Sequence, residues 1–298
     1  MDAEGYTGTY NGETYPPITV NSVTGKDSNL SYEVYYMKDD GTDVPAAENE
    51  GWSKERKVKD VADSGKYWYK VVITGEHAND YAPYIASAQV TISAKVLQLT
   101  GVLDEYTKTY DGNADITDNF NITVTTGTSD EITVSSATGT YANKNAGKDK
   151  DVTLILTLSG TDIKWGNYSY NGTELTKGEI TLTQAGAGTI TPKAITVTGI
   201  SAENRVYDGT KVVQLTGTPE TTDKVGEDNL TLALASNATG SIESADVGND
   251  KAVTVETSVI TLGGDDANNY KVSAVKDAAN GDVKVNITQR PVNLELPG

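Results

Sequence analysis

The chain has 298 residues, 42 of them acidic against 24 basic, a formal net charge of −18 and no cysteine. Such a surface repels phosphate backbones and anionic membranes, so neither nucleic-acid binding nor membrane insertion of this segment is expected. The missing cysteines exclude disulfides, thiolate nucleophiles and Cys-ligated metal, and no run is apolar enough for a transmembrane helix.

In chain order, the first signal is "TYNG" at Thr9–Gly12. It returns as "TYDG" at Thr109–Gly112 and "VYDG" at Val206–Gly209, 100 and then 97 residues further on. A second marker, "ISAK" at Ile92–Lys95, returns as "ITPK" at Ile190–Lys193 and "ITQR" at Ile287–Arg290, spaced by 98 and 97. Two markers with one period indicate internal repeats. The modules divide as 1–94, 95–192 and 193–290, and 291–298 reads as the start of a further repeat, cut short. Each module is large enough to bury its own core. The junctions "TISAKVLQLTG", "TITPKAITVTG" and "NITQRPVNLEL" hold no Gly/Ser linker, so they cannot act as flexible tethers. Strands rising ~3.3 Å per residue give modules roughly 35–40 Å long, and three end to end give a rod on the order of 100 Å. No basic-then-apolar leader opens the chain, and it reads as part of a longer protein.

Within module one, "SKERKVKDVADS" (Ser53–Ser64) lacks an apolar stripe and is expected as loop and short strand. "KYWYKVVI" follows as a strand, with Tyr67 and Tyr69 on one face and Trp68 on the other. Modules two and three are dominated by strand signals. "DVTLILTL" (Asp151–Leu158), "LTLALA" (Leu230–Ala235) and "VKVNI" (Val283–Ile287) alternate with period two, and "KAVTVETSVITL" (Lys251–Leu262) is rich in β-branched residues. Asp/Asn/Gly clusters punctuate them. The expected fold is all-β: three tandem Ig-like β-sandwich-type modules.

The repeated turn has structural work for each residue. Gly112 and Gly209 supply a positive φ, Asp111 and Asp208 can close the turn onto backbone N–H groups, and Tyr110 and Tyr207 can cover the edge of a core. Asp-Gly between strands is foremost a hairpin signal. The two turns are expected at equivalent places in their modules.

These residues carry a resemblance. The order "VYDGTKVV", "SADVGNDKAVTV", "DDANNYKVS", "VNITQRPV" in module three resembles a YDG domain, a repeat module of bacterial cell-surface and adhesin-type proteins. Module two resembles it through "KTYDGNADI", "KNAGKDKDVTL", "WGNYSY" and "GTITPK", and departs in "NGTELTKGEITLTQAGAG". Module one keeps "TYNG" and "EHANDY", and its Asp63-x-Gly65-x-Tyr67 is similar to the tyrosine corner of immunoglobulin-like domains, placing Tyr69 where antibodies have cysteine. It looks like the bacterial Ig-like or MBG-type repeats found beside YDG domains. The resemblance implies a non-catalytic, monomeric, extracellular stalk or spacer. Host or environmental glycans or proteins would be met by other parts of the full-length chain.

Sharper readings have less behind them. A Ser-His-Asp triad would rest on the single histidine, His77, in a turn-like segment; carboxylate pairs occur in any chain this acidic; and Gly186–Gly188 lacks the helix and Lys of a phosphate loop. "GGDDANN" (Gly263–Asn269) offers oxygens to a hard cation but lacks EF-hand spacing, so no cofactor or metal is expected. Lys–Asn isopeptide pairs are not singled out by any motif. The strongest rival is a carbohydrate-binding module in which Trp52 and Trp68 stack sugars; the competing reading packs Trp68 inside the protein.

Overall fold

The computed structural model describes residues 1–117 and 119–292. Residues 293–298, in the stretch expected to open a further repeat, lie outside the described residues. Every regular element described is a β-strand or a single 3₁₀ turn, so the protein is all-β, with sandwich-type sheets. Among the described residues no helix is long and apolar enough to cross a membrane. The chain parts into two compact units: Met1–Val102, Asn119–Thr138 and Ile155–Leu182 form the first, and Leu103–Asp118, Gly139–Leu154 and Thr183–Gly298 the second. Each unit thus holds one outer module and a share of residues 95–192.

In the first unit one sheet runs in the order Thr7–Thr9, Tyr84–Ser93, Gly65–Thr74, Ser31–Lys38, and a ribbon pairs Asp2–Gly5 with Ile18–Ser22. Ile18, Val58 and Val90 are fully buried beneath them. Residues 53–64 form a loop with two isolated bridges, Tyr15 to Val58 and Tyr36 to Ser53, and one 3₁₀ turn, Val61–Asp63. The same unit contains Tyr168–Tyr170, parallel to Lys95–Val96 and antiparallel to Thr173–Glu174.

In the second unit seven strands run in the order Arg205–Val206, Lys284–Thr288, Gly248–Thr254, Thr239–Ile242, Val212–Glu220, Lys193–Ala202, Tyr270–Val275. The segment 251–262 is two strands, because a 3₁₀ turn at Thr257–Val259 interrupts it. "LTQAGAG" lies inside one long strand, Glu179–Thr191, whose last residues run parallel to Tyr106–Thr109. Gly188 is required there: a Cβ would stand 2.6 Å from the Tyr141 ring.

Period-two alternation sets which side chains are buried. In the strand Gly147–Ser159, Val152, Leu154, Leu156 and Leu158 are buried while Ile155 is exposed. With Phe120 as the single phenylalanine, tyrosine supplies much of the aromatic core: Tyr10, Tyr36, Tyr67, Tyr69, Tyr106, Tyr110, Tyr141, Tyr168 and Tyr270 are all buried. A buried tyrosine must also find a partner for its hydroxyl, and two sets of these tyrosines meet in the joints described next.

The opening strand of a module switches partners. Lys193–Ala202 pairs antiparallel with Val212–Glu220, and Arg205–Val206 then pairs in parallel with Ile287 and Thr288 of the last strand. The Tyr-Asp-Gly turn therefore does not close a two-residue hairpin, as its composition suggests. The strand before it pairs with the end of the module, and the strand after it with the beginning. The turn carries the chain from one ladder to the other.

Candidate functional site: two inter-module joints

The three tyrosines of the repeated turn occupy equivalent places. Tyr10, Tyr110 and Tyr207 each donate a backbone N–H to the last strand of their own module, to the carbonyls of Ser93, Thr191 and Thr288, at 2.9 Å in every case. The next side chain closes the turn. The Glu13 N–H donates to Asn11 Oδ1 (2.9 Å), Asn113 to Asp111 Oδ1 (3.2 Å) and Thr210 to Asp208 Oδ1 (2.8 Å). Lys108 and Arg205, three residues earlier, pair with Asp111 and Asp208. Against the burial that would raise it, Asp111 sits below the usual carboxylate range because of Lys108 and the Asn113 N–H; Asp208 is lowered by Thr210 and Arg205. The glycines have φ of 85° (Gly12), 89° (Gly112) and 79° (Gly209), the left-handed region that favours glycine.

The rings separate the three turns. Tyr10 and Tyr110 are 4 % and 1 % exposed, whereas Tyr207 is 40 % exposed. Tyr207 thus does not cover a core edge, contrary to the expectation from sequence. The reason is that the two buried rings are covered by the module that follows theirs. Tyr10 Oη donates to Asp130 Oδ2 at 2.9 Å, and Tyr168 Oη donates to the same oxygen at 2.6 Å. In the second unit Tyr110 Oη donates to Asp228 Oδ2 at 2.8 Å and Tyr270 Oη to that oxygen at 2.5 Å. The ring pairs match as well. Tyr10 and Tyr168 meet edge to face with centroids 5.5 Å apart at 79°, Tyr110 and Tyr270 at 5.6 Å and 74°.

A carboxylate withdrawn from water requires donors, and two phenolic hydroxyls supply them to each aspartate; Asp228, 9 % exposed, also has the Lys144 ammonium 3.9 Å from its other oxygen. Burial and the adjacent carboxylate push all four phenols up, Tyr10 and Tyr270 to about 12. The turn glycines add contact. A Cβ on Gly12 would stand 3.2 Å from Ser129 Oγ, and one on Gly112 only 2.8 Å from Val225 Cγ1, both in the following module.

An asparagine makes a second tie in each joint. Asn167, before Tyr168, accepts the Val61 N–H at 2.8 Å and donates to Asp60 Oδ1 at 2.8 Å. Asn269, before Tyr270, accepts the Ala146 N–H at 2.8 Å and reaches Asn145 Oδ1 at 3.5 Å. Both asparagines are buried, each 3 % exposed. Burial works to raise Asp60, but hydrogen bonds from Lys164 and Asn167 outweigh it and hold that carboxyl below its ordinary range.

The Asp63, Gly65, Tyr67 corner supports the first joint. Tyr67 is 2 % exposed and donates its hydroxyl to the Asp63 carbonyl at 3.0 Å. Asp63 Oδ2 accepts the Lys59 and Asp60 N–H groups at 2.8 and 2.9 Å, shaping the loop that presents Asp60 and Val61. Gly65, φ 143°, starts the strand beneath.

The other candidate residues do not assemble. Trp68 is buried, its Nε1–H bonded to Asp39 and its ring capped by the Lys66 ammonium 4.0 Å from the centroid, so it is not an open platform. Trp52 donates to the Ala46 carbonyl, and Lys70 lies 5.1 Å from its centroid. His77 is exposed in a turn beside Asp80. In "GGDDANN", Asp266 accepts the Asn229 N–H at 2.8 Å. No cluster of three or more His, Asp or Glu suited to a metal occurs among the described residues.

Sequence reasoning missed Asp130 and Asp228. They lie 120 and 118 residues beyond the tyrosines they bond. A signal was present: "DEIT" at Asp130–Thr133 and "DNLT" at Asp228–Thr231 share the module period.

A family model for the YDG domain matches residues 93–177 and 191–279. The chain belongs to the YDG domain family. Comparison with curated proteins gives no match. Among solved structures the YDG chain is similar to Sidekick-1 immunoglobulin domains 1–5 (11 % identity, 97 % of this chain, TM-score 0.27), and it spans 58 % of that chain's length. It is also similar to titin I-band fragment I67–I69 (10 % identity, 97 % and 98 % covered, TM-score 0.23) and to three N-terminal domains of the bacteriophage RB49 Hoc protein (12 % identity, 97 % and 98 % covered, TM-score 0.25).

Proposed function

We propose that this YDG segment is a non-catalytic stalk or spacer of a bacterial cell-surface or secreted adhesin-type protein, projecting other domains outward. The observation that supports it is the recurrence of one joint. Tyr10–Asp130–Tyr168 and Tyr110–Asp228–Tyr270, each with its asparagine tie, hold consecutive modules by the same set of contacts. A device repeated at both described junctions serves the spacing of modules. A binding or catalytic site needs to be built once. The carbohydrate-binding alternative has less support, because Trp68 is buried and lysines sit over both candidate tryptophans.

The test has two arms. Antibodies raised against this segment should label intact cells of the source bacterium. In-frame removal of residues 95–192 from the full-length protein should leave ligand capture intact while shortening the distance of the terminal domain from the cell. Saturable binding of a glycan by the isolated segment, abolished by Trp52→Ala, would replace the stalk reading with the binding-module one.

A further inference from the structure

We propose that the open end of module three, around Tyr207, Asp246 and Val247, is a docking face for a further YDG-type module that supplies an aspartate and an Asn-Tyr pair. The inference needs only the joint geometry, not the cell-surface role. Tyr207 holds the same backbone bond as Tyr10 and Tyr110, yet its ring is 40 % exposed. Its hydroxyl has no carboxylate partner among the described residues. A Cβ on Gly209 would meet nothing closer than Tyr207 Oη at 3.9 Å, where Gly112 is pressed against Val225.

The second tie is also in place and unfilled. Asp246–Val247 stands where Asn145–Ala146 stands in module two: each precedes a strand-opening glycine, Gly248 and Gly147, and then an aspartate at positive φ, Asp250 (51°) and Asp149 (53°). Val247 is 48 % exposed, and its N–H has no partner among the described residues, whereas the Ala146 N–H is taken by Asn269.

The donors and acceptors specify the occupant. A carboxylate must accept the Tyr207 hydroxyl. An asparagine must accept the Val247 N–H and donate to Asp246. A second copy of this chain, docking through module one, fits poorly. Module one has Asp80 before Tyr81 where the others have Asn167 and Asn269, and Ser28-Asn29-Leu30 where they have Asp130-Glu131-Ile132 and Asp228-Asn229-Leu230. Asp80 would meet Asp246 as like charges, and Ser28 would offer Tyr207 a hydroxyl at the position where the other modules offer a carboxylate.

Two extended chains test this: one with a copy of residues 194–290 joined after Arg290, the other with a copy of 96–192 there. The readout is tyrosine nitration, located by mass spectrometry. In the present chain Tyr207 should react readily while Tyr10 and Tyr110 resist. In both extended chains Tyr207 should become protected by at least about tenfold, the scale of local opening in a packed contact. Asp228→Ala placed only in the appended copy, or Asp130→Ala in the other, should restore its reactivity. Equal Tyr207 reactivity with and without a folded appended module overturns the proposal. So does protection of Tyr207 in the present chain that grows with its concentration, which would make a second copy the occupant. If both appended modules stay unfolded, the proposal also falls, since each folds here beside a module bearing the same face.

Discussion

Tyr110→Phe removes one hydroxyl from the second joint and leaves the ring. The edge-to-face contact with Tyr270, centroids 5.6 Å apart, survives. What is lost is a 2.8 Å hydrogen bond to Asp228, a carboxylate only 9 % exposed that keeps Tyr270 on the same oxygen and Lys144 3.9 Å from the other. A hydrogen bond to a charged group contributes about 1.5–3 kcal/mol, so a loss of roughly 2 kcal/mol is expected. At about 2–4 °C per kcal/mol for a unit of this size, the melting temperature of the second unit should fall by roughly 4–8 °C. Tyr207→Phe is the internal control: the same residue in the same turn, but exposed and without the aspartate, so its cost should stay within about 0.5 kcal/mol.

The assay is calorimetric unfolding of both variants, with transitions resolved because two units need not melt as one. Hydrogen exchange at the Tyr110 and Ala146 amides locates the effect. Equal losses for Tyr110→Phe and Tyr207→Phe would refute the joint as the source of the stability. A Tyr110→Phe loss that persists unchanged in an Asp228→Ala background would refute it too, since a double-mutant cycle across a real bond must show coupling.

Other perturbations follow from the same geometry. Tyr67→Phe, losing a bond to a neutral carbonyl, should destabilise the first unit by about 1 kcal/mol in urea unfolding. Gly209→Val should cost more than about 1 kcal/mol, since a β-branched residue resists φ near 79°. Gly112→Ala should cost more than Gly209→Ala, because only at 112 does the new Cβ strike the following module, and thermal melts of the pair measure the difference. The raised phenols set an alkaline limit. Their neutral forms are favoured in the folded state, so their contribution is complete below the unfolded value of about 10 and is lost as pH rises toward about 12 for Tyr10 and Tyr270. Urea midpoints should fall steeply across that interval, and Asp228→Ala, which removes the adjacent charge, should flatten the fall. Asp60, whose pKa is lowered, contributes above about 3.9 and loses that contribution as pH falls, so Asp60→Asn should reduce the acid sensitivity of the first unit.

What was legible in the sequence was local. Alternation in "DVTLILTL" is enough to place Val152, Leu154, Leu156 and Leu158 in a core, because side-chain period two is a property of the backbone. The positive φ at Gly112 and Gly209, and the corner at Tyr67, rest on contacts a few residues apart. The hairpin reading of the turn failed for the complementary reason. Which ladder a strand joins depends on the distant edge it reaches, here Thr288 for Tyr207, and turn composition does not encode that. The partners of Tyr10 and Tyr110 were hidden in the same way. Nothing near a tyrosine announces an aspartate about 120 residues later, and only the shared period of "DEIT" and "DNLT" connects them.

The choice of a tyrosine–carboxylate–tyrosine contact has a consequence in a chain of net charge −18. An array whose modules were held by surface ion pairs would depend on scarce cations, contribute little per pair, and weaken as salt screened it. Tyrosine hydroxyls add no charge of their own, so salt should weaken the Lys144–Asp228 and Lys164–Asp60 pairs that flank the joints and leave the tyrosine bonds. The same carboxylate makes the joint selective. A module without it leaves two buried hydroxyls unpaired, and one with an aspartate in place of asparagine brings like charges together, at costs of a few kcal/mol each. Module one, with Ser28-Asn29-Leu30 and Asp80, lacks both groups on the side that would be received, while modules two and three have both. On this reasoning a module that carries both the aspartate and the asparagine is the one expected to follow another.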